Sequence, residues 1–137
     1  MLVSVVIPTY NRLPILQQCL RALEAQLPLD PGDDFEVVLV DDGSTDGTVE
    51  WIQQEAAELP HVRLICQEHG GPAIGRNLGV DHANGEVIIF IDSDLVVVPD
   101  FLQHHLRSLR QAWQRDGGRL CFTYGAVINT HNFESPE

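Results

Sequence analysis

Two pairs of aspartates each follow directly after a short apolar run in this sequence. Asp41 and Asp42 end one run, and Asp92 and Asp94 end another. Short apolar runs rich in β-branched residues are typical of buried parallel strands, whose carboxyl ends share the ligand-binding edge of an open sheet. Four carboxylates gathered at one edge repel one another unless a cation or several hydrogen-bond donors share the site. The spacing therefore predicts that this edge binds a metal ion or a polar ligand.

The rest of the chain supplies the elements that would hold these acids in place. Strand-like and helix-like segments alternate throughout, without repeats or low-complexity linkers. Strands are predicted at about residues 3–7, 35–40, 62–66, 87–91 and 120–127, and helices at about 15–23, from Thr45 or Asp46 to Pro60, from Pro72 to Asn84, and from Pro99 to Gly117. This alternation predicts a single α/β domain over residues 1–137, with a Rossmann-like, doubly wound and mainly parallel sheet.

Composition limits the classes of function. At 137 residues and 44% hydrophobic, the chain can bury one core. The 20 acidic residues against 8 basic ones give a net charge of -12, which argues against binding to nucleic acid or anionic membranes and favours a metal ion. All 8 basic residues are arginines. Because there is no lysine, a P-loop and Schiff-base chemistry are both excluded.

The cysteines and the first apolar run bear on the compartment. Cys19, Cys66 and Cys121 are odd in number and widely spaced, so we expect reduced core residues and neither a disulfide framework nor a metal pattern. The apolar run at residues 2–7 is broken at Pro8 and is too short for a signal peptide or a membrane span. These features predict a cytoplasmic protein without a membrane span.

Several ring-bearing side chains can be assigned from their places in the predicted elements. Phe90, Trp51 and Trp113 occupy positions expected in the core. Tyr10 should instead flank the pocket at the end of the first strand. His69 lies in a loop beside two glycines with no identifiable partner, and we expect no functional role for it.

Short motifs occur in a fixed order at three strand ends and in one helix. The first strand runs into PTYNR at 8–12, the second into DDGSTDGT at 41–48 and the fourth into DSD at 92–94, and GRN at 75–77 lies in the intervening helix. Together these motifs resemble the nucleotide-sugar-binding half of family 2 glycosyltransferases of the GT-A fold. The resemblance implies transfer of a sugar from a nucleoside-diphosphate donor to an acceptor hydroxyl, with inversion.

The resemblance also implies roles for the motif residues. Asp42 would accept hydrogen bonds from the base or ribose, and Gly43 would allow close approach. Asp92 and Asp94 would hold Mg²⁺ or Mn²⁺, and Arg76 would contact the pyrophosphate near a helix N-terminus. The predicted donor-binding residues are Pro8, Thr9, Tyr10, Asn11, Asp41, Asp42, Gly43, Arg76, Asp92 and Ser93, and the predicted metal ligands are Asp94 and Asp92.

Each of these motifs also has a purely structural interpretation. Residues 41–44 could turn the chain and cap a helix, and residues 92–94 could form a turn with solvated acids. Arg76 could be a surface residue beside a packing face formed by Gly75 and Gly79. The ordered set of motifs favours the functional interpretation.

The resemblance implies a general base that this chain does not supply. An inverting transferase deprotonates the acceptor hydroxyl, and in the resembled family an aspartate of a later motif does so. Here Asp100, Asp116, Glu134 and Glu137 do not follow an apolar strand end. We therefore expect the donor half of a glycosyltransferase, truncated before the acceptor region, inactive alone and prone to self-association. Its donor would be a UDP-, GDP- or dTDP-linked sugar, and the motifs do not identify the acceptor.

Other protein classes share parts of this pattern. The segment 91–96, IDSDLV, also fits the haloacid-dehalogenase phosphatases, but they carry the motif on the first strand and need a later basic residue. A response-regulator receiver carries its acidic pair on the first strand and a lysine on the last, and this chain has neither. A binding-only nucleotide-sugar domain without turnover stays open, because it predicts the same donor motifs.

Overall fold

The computed structural model describes residues 1–119, 122–123 and 125 of the chain. The described strands are β1 (Leu2–Thr9), β2 (Asp34–Asp41), β3 (Val62–Cys66) and β4 (Val87–Phe90), and the helices are α1 (Leu13–Glu24), α2 (Thr48–Gln54), α3 (Pro72–His82) and α4 (Phe101–Arg115), with a 3₁₀ turn at Ala56–Glu58. The strand expected at 120–127 lies outside the described residues. None of the helices in the described part combines the length and apolar character that a membrane crossing requires.

The four strands form one parallel sheet in the order β3-β2-β1-β4. Thr9 of β1 lies opposite Asp41 of β2, and Asp41 lies opposite Cys66 of β3. Strands β1, β2 and β3 therefore end at the same level, whereas β4 ends at Phe90, opposite Val6 of β1. The alternation of strands with helices produces this parallel pairing, because a helix between two strands carries the chain back so that the next strand runs in the same direction. The predicted α/β fold is confirmed.

Helices cover both faces of the sheet, as the continuous apolar strands require. Helices α1, α2 and α4 pack on one face and α3 packs on the other. The first face is buried by Val5, Ile7, Leu16, Cys19, Leu20, Leu23, Val37, Leu39, Ile52, Leu102 and Leu106, and the second by Val6, Val38 and Val40, with Ile65, Leu78 and Ile88 packed against them.

Two glycines let α3 lie directly on the sheet. A Cβ atom at Gly79 would stand 2.3 Å from Val6 Cγ1, and one at Gly75 would stand 3.2 Å from Pro8 Cβ. Both glycines are buried. This close approach fixes the height of α3 above the end of β1 and so positions Arg76, which follows Gly75.

The structure corrects part of the predicted core. Cys19 is buried as expected, but Cys66 is exposed at the end of the edge strand β3. Phe90 and Trp113 are about half exposed, because Phe90 ends β4, at the other edge of the sheet that the described residues form, and Trp113 lies near the end of α4. The expectation of core burial is therefore wrong for these three residues. Cys121 lies outside the described residues.

Helix α2 begins later than predicted. Its first residue is Thr48, and Gly47, with φ 88°, is the N-cap. Asp46 is not the cap residue, although its Oδ1 accepts a 2.6 Å hydrogen bond from Thr48 Oγ1. The prediction placed the helix start two or three residues too early, since capping residue types fit several neighbouring positions.

Candidate functional site

The carboxyl edge of the sheet brings together loops that are distant in sequence. Segment 10–12 follows β1, segment 42–47 follows β2 and segment 91–94 follows β4. Segment 67–71 enters the same region between β3 and α3. The sequence predicted that the acids would meet at this edge, and the contacts below establish which groups touch.

Asp42 is bound to the loop that leads into α3. Its Oδ1 accepts hydrogen bonds from Gln67 Nε2 at 2.8 Å and from the Gly70 N–H at 2.7 Å. Its Oδ2 accepts one from the Gly71 N–H at 3.0 Å and lies 3.0 Å from His69 Nδ1. A carboxylate offers about four acceptor positions. Asp42, with a side chain only 4% exposed, therefore has its acceptor positions filled by its own chain.

These contacts set the charge state of Asp42. Burial acts to raise the pKa of this carboxyl, but the hydrogen bonds from Gly70, Gln67 and Gly71 and the nearby His69 outweigh it and hold the pKa below its ordinary value. Asp42 is therefore a stable anion near neutral pH. Its charge draws the glycine-rich loop onto the end of β2.

His69 has two partners at this edge that the sequence did not reveal. Its ring stacks on Tyr10, with centroids 4.2 Å apart and planes inclined by 30°. Its Nδ1 also lies 3.0 Å from Asp42 Oδ2, and its side chain is 59% exposed. The available sequence signal was the place of His69 in the loop after β3, beside two glycines that turn back toward the strand ends. Tyr10 flanks the edge, as expected.

Asn11 and Asp46 fasten the loop after β1 to the loop after β2. The Asn11 N–H donates to Ser44 Oγ at 2.9 Å, and Asn11 Oδ1 accepts from the Thr45 N–H at 2.7 Å. Asp46 Oδ2 accepts from the Leu13 N–H at 3.0 Å. Asn11 adopts a left-handed backbone conformation with φ 48°, which asparagine tolerates better than most residues. The two loops therefore form one joined wall of the site.

Asp41 points away from its neighbour Asp42. Thr9 and Asp41 share the sheet face that packs against α1, since side chains alternate along each strand. Asp41 Oδ2 accepts from the Ser44 N–H at 3.0 Å, as the turn interpretation predicts. Within the described residues, Asp41 Oδ1 and Thr9 Oγ1 are buried without a hydrogen-bond partner. These two predicted residues thus lie beneath the edge, on the α1 side.

The remaining predicted residues lie close to these loops. Pro8 is buried in β1, and Ser93 is buried between the two aspartates that flank it. Gly43 has φ 81°, and a Cβ atom there would meet the His69 backbone nitrogen at 3.3 Å. Gly43 therefore permits the close approach of the two loops to each other.

Each aspartate of the DSD motif is paired with an arginine. Arg76 Nη2 lies 2.6 Å from Asp92 Oδ1, and Arg12 Nη1 lies 2.9 Å from Asp94 Oδ2. The Asp92 side chain is 60% exposed and that of Asp94 is 47% exposed. Both pairs join elements that are distant in sequence. They place two anions and two cations together at the solvent-facing end of the sheet.

The DSD carboxylates fit a hard divalent cation as part of its ligand set. Within the described residues, no group of three or more His, Cys, Asp or Glu side chains could enclose a metal ion. Asp92 and Asp94 are accessible oxygen donors, which Mg²⁺ and Mn²⁺ prefer, and Mg²⁺ sites in phosphate-binding enzymes commonly use one or two carboxylates with phosphate and water. The residues present therefore fit a metal ion whose other ligands come from a bound phosphate group and water.

Known proteins resemble this chain in sequence and in structure. The sequence model described as "Glycosyl transferase family 2" matches residues 4–116. The chain is 34% identical over 105 residues to "Uncharacterized glycosyltransferase YfnE" of Bacillus subtilis, which covers 77% of this chain and 26% of that protein. S. aureus TarS 1-349 in complex with UDP-GlcNAc matches with a TM-score of 0.70 at 32% identity, covering 83% and 32% of the two chains. Mannosyltransferase PcManGT from Pyrobaculum calidifontis, in complex with GDP-Man and Mn²⁺, matches with a TM-score of 0.69 at 33% identity, covering 78% and 32%.

These matches bear on the expectations from sequence. They confirm the resemblance and the predicted fold, and the chain spans 26% of YfnE and 32% of each of these two solved chains. The DSD motif follows β4 and not the first strand of the sheet. That position excludes the haloacid-dehalogenase arrangement.

Proposed function

Because this chain belongs to glycosyl transferase family 2, we propose that its carboxyl edge binds the nucleoside-diphosphate sugar of a sugar-transfer reaction. The observation that carries the proposal is the 2.6 Å pair between Arg76 and Asp92. It joins a cation near the start of α3 to a carboxylate that follows β4. A diphosphate with its metal ion needs both charges at one place.

Arg76 would contact the diphosphate of the donor. Its guanidinium reaches the strand ends, where it touches Asp92, and the glycines of the 70–71 loop bring the beginning of α3 to the same edge. A guanidinium can donate two parallel hydrogen bonds to phosphate oxygens. Asp92 and Asp94 would hold a Mg²⁺ or Mn²⁺ ion, which when bound neutralises charge on the leaving nucleoside diphosphate.

The base and ribose would lie near Tyr10 and Asp42. The Tyr10 side chain is exposed and offers an aromatic face. Asp42 is held as an anion, and displacement of the exposed His69 ring would free an acceptor position on its Oδ2 for a uracil, guanine or thymine base or for a ribose. TarS and PcManGT form complexes with UDP-GlcNAc and GDP-Man respectively, which supports a nucleoside-diphosphate sugar here without choosing the base.

The proposal covers the donor half of the reaction. The chain spans a minor part of its relatives' length, and the later acids Asp100 and Asp116 are the two cap residues of α4. We expect donor binding without sugar transfer by these 137 residues alone. A binding-only domain predicts the same result, so transfer by the whole natural protein would separate the two alternatives. The configuration of the product in that assay would also show whether the anomeric carbon is inverted.

Calorimetric titration of UDP and GDP, with and without Mn²⁺, tests the proposal. We expect at least one nucleotide to bind more tightly with Mn²⁺, and Asp94→Ala to abolish the effect of the metal. Asp116→Ala is the matched control, because it removes an acid at the C-cap of α4, outside the site. Absence of binding by the unmodified chain to both nucleotides, with Mn²⁺ present, would contradict the proposal.

A further inference from the structure

Arg12 has no role in the function proposed above, yet it contacts a predicted metal ligand. Its Nη1 lies 2.9 Å from Asp94 Oδ2, across 82 residues of sequence. The side chains of Arg12 and Asp94 are 55% and 47% exposed. The pair therefore stands in solvent at the mouth of the site, where either partner can exchange its contact for another.

The position of Arg12 on α1 is unusual for its charge. It is the N-cap residue of that helix and makes no side-chain capping hydrogen bond. Serine, threonine, aspartate and asparagine are preferred there, because the free N–H groups carry a partial positive charge that disfavours a cation. Arg12 thus adds positive charge to an end that is already positive. An anion is already present at this end of α1, because Asp46 accepts a hydrogen bond from the Leu13 N–H, and Arg12 turns to Asp94 instead.

We propose that Arg12 is the resident counter-ion of Asp94, and that it moves to the diphosphate when a divalent ion and the nucleotide bind. This inference rests on the donor site of the proposed function. In the free protein, Arg12 and Arg76 neutralise Asp94 and Asp92, so a divalent ion alone gains little attraction from this edge. When a diphosphate arrives, the guanidinium of Arg12 has a new anion to contact, and Asp94 becomes available.

The charges of the chain support this exchange. There is no lysine among these 137 residues, so arginine is the side chain that can supply a permanent positive charge from this chain to the diphosphate. Among the described residues, the arginines paired with the DSD acids are Arg12 and Arg76. Exposed ion pairs are weak and easily replaced. Metal and nucleotide should therefore bind with positive coupling, part of which depends on Arg12.

Binding of Mn²⁺ alone, followed by the electron paramagnetic resonance signal of free Mn²⁺, tests the counter-ion role. We expect Arg12→Gln to bind Mn²⁺ about two- to fivefold more tightly than the unmodified chain, which is the range that an exposed ion pair spans. Arg115→Gln removes the same charge from the last turn of α4 and should leave Mn²⁺ affinity unchanged. Arg12→Lys keeps the charge and should hold Mn²⁺ affinity near that of the unmodified chain.

The same titrations repeated with UDP and GDP test the move to the diphosphate. In the unmodified chain the nucleotide should tighten Mn²⁺ binding, and Arg12→Gln should reduce that gain by about two- to fivefold. If Arg12→Gln binds Mn²⁺ alone no more tightly than Arg115→Gln, including no measurable binding by either, the counter-ion role is overturned. If Mn²⁺ binds more tightly but the gain from nucleotide is unchanged, the move to the diphosphate is overturned. Failure of the unmodified chain to bind either nucleotide would instead count against the proposed function, and the Mn²⁺ comparison would stand apart from it.

Discussion

His69 stacks on Tyr10 with their ring centroids 4.2 Å apart, and the same imidazole places Nδ1 3.0 Å from Asp42 Oδ2. An aromatic face and an acidic acceptor are the two contacts that a nucleobase would be expected to use at this edge. In the free protein both are occupied by His69. A base that bound here would therefore displace the imidazole, whose high exposure leaves it room to move.

Replacing His69 should strengthen nucleotide binding. The apparent affinity of a ligand is proportional to the fraction of molecules whose site is open, so a site occupied by His69 about nine-tenths of the time binds about tenfold more weakly. We expect His69→Ala to tighten UDP or GDP binding by up to about that factor in calorimetric titrations with Mn²⁺. His104→Ala, on the exposed side of α4, is the control. Weaker binding by His69→Ala would show that the imidazole is part of the ligand's site and not its competitor.

Replacing Tyr10 should weaken the same interaction. Stacking of a base on an aromatic side chain contributes about 1–3 kcal/mol. Tyr10→Ala should therefore bind the nucleotide about 5- to 150-fold more weakly, whereas Tyr10→Phe keeps the ring and should bind nearly as tightly. Equal affinities for the alanine variant and the unmodified chain would show that the base lies elsewhere.

The anion at Asp42 should stabilise the fold as well as the site. Asp42→Asn keeps the size but loses the charge that Gly70, Gly71 and Gln67 contact, so we expect a loss of about 1.5–3 kcal/mol in the free energy of unfolding near pH 7. Because the folded protein lowers this pKa, the contribution is present above the unfolded-state pKa of about 3.9 and is lost as the pH falls through the lower folded-state pKa. Urea unfolding of both proteins should show the difference shrinking only below about pH 4. If the difference in unfolding free energy disappears already near pH 6, a titrating group other than Asp42 causes it.

The left-handed conformation of Asn11 can be tested with two substitutions. Asn11→Gly and Asn11→Ala both lose the hydrogen bond from the Thr45 N–H, which should cost about 1 kcal/mol of unfolding free energy. Alanine also resists φ 48°, so Asn11→Ala should be less stable than Asn11→Gly by about 0.5–1 kcal/mol. Thermal and urea unfolding measure the difference. If the alanine variant is as stable as the glycine variant, the loop has relaxed out of this conformation.

The contact between α3 and the sheet predicts an effect opposite to helix propensity. Alanine is a better helix former than glycine by about 0.8–1 kcal/mol, yet a Cβ atom at Gly79 would stand 2.3 Å from Val6 Cγ1. We therefore expect Gly79→Ala to destabilise the protein by about 1–3 kcal/mol in urea unfolding. In a Val6→Ala background the obstructing methyl is absent, and the same substitution should cost much less. Equal costs in the two backgrounds would mean that another contact limits this position.

Local patterns were sufficient to predict most of the secondary structure. Strand β3 has the predicted bounds Val62–Cys66, and Leu16, Cys19 and Leu20 of α1 are buried at the predicted spacing. Such periodicity reflects which side of one element faces the core, so a single segment contains it. The ends of elements were less accurate. Phe90 belongs to an apolar run but is half exposed, because β4 lies at an edge of the described sheet. The place of a strand in a sheet depends on strands elsewhere in the sequence, so the run alone could not predict it.

The sequence likewise predicted one part of the candidate site and could not predict the other. The rule that parallel strands end at one edge was enough to predict that Asp42, Asp92 and Asp94 follow strands at the same edge of the sheet. The rule could not show that Asp41 faces α1 while Asp42 faces the loop before α3, because that depends on where each strand ends in the register. It also gave no role to His69, whose partners lie in two other loops.

The sequence by itself determined the alternation of elements, the edge where acids meet and the family to which the motifs belong. These features depend on spacing within short segments and on the fixed handedness of strand crossovers. The tertiary structure decided which charges touch: Arg12 with Asp94, Arg76 with Asp92, and His69 with Asp42. Ion pairs between distant segments depend on distances of a few ångströms after the chain has packed, and no local pattern in the sequence contains those distances.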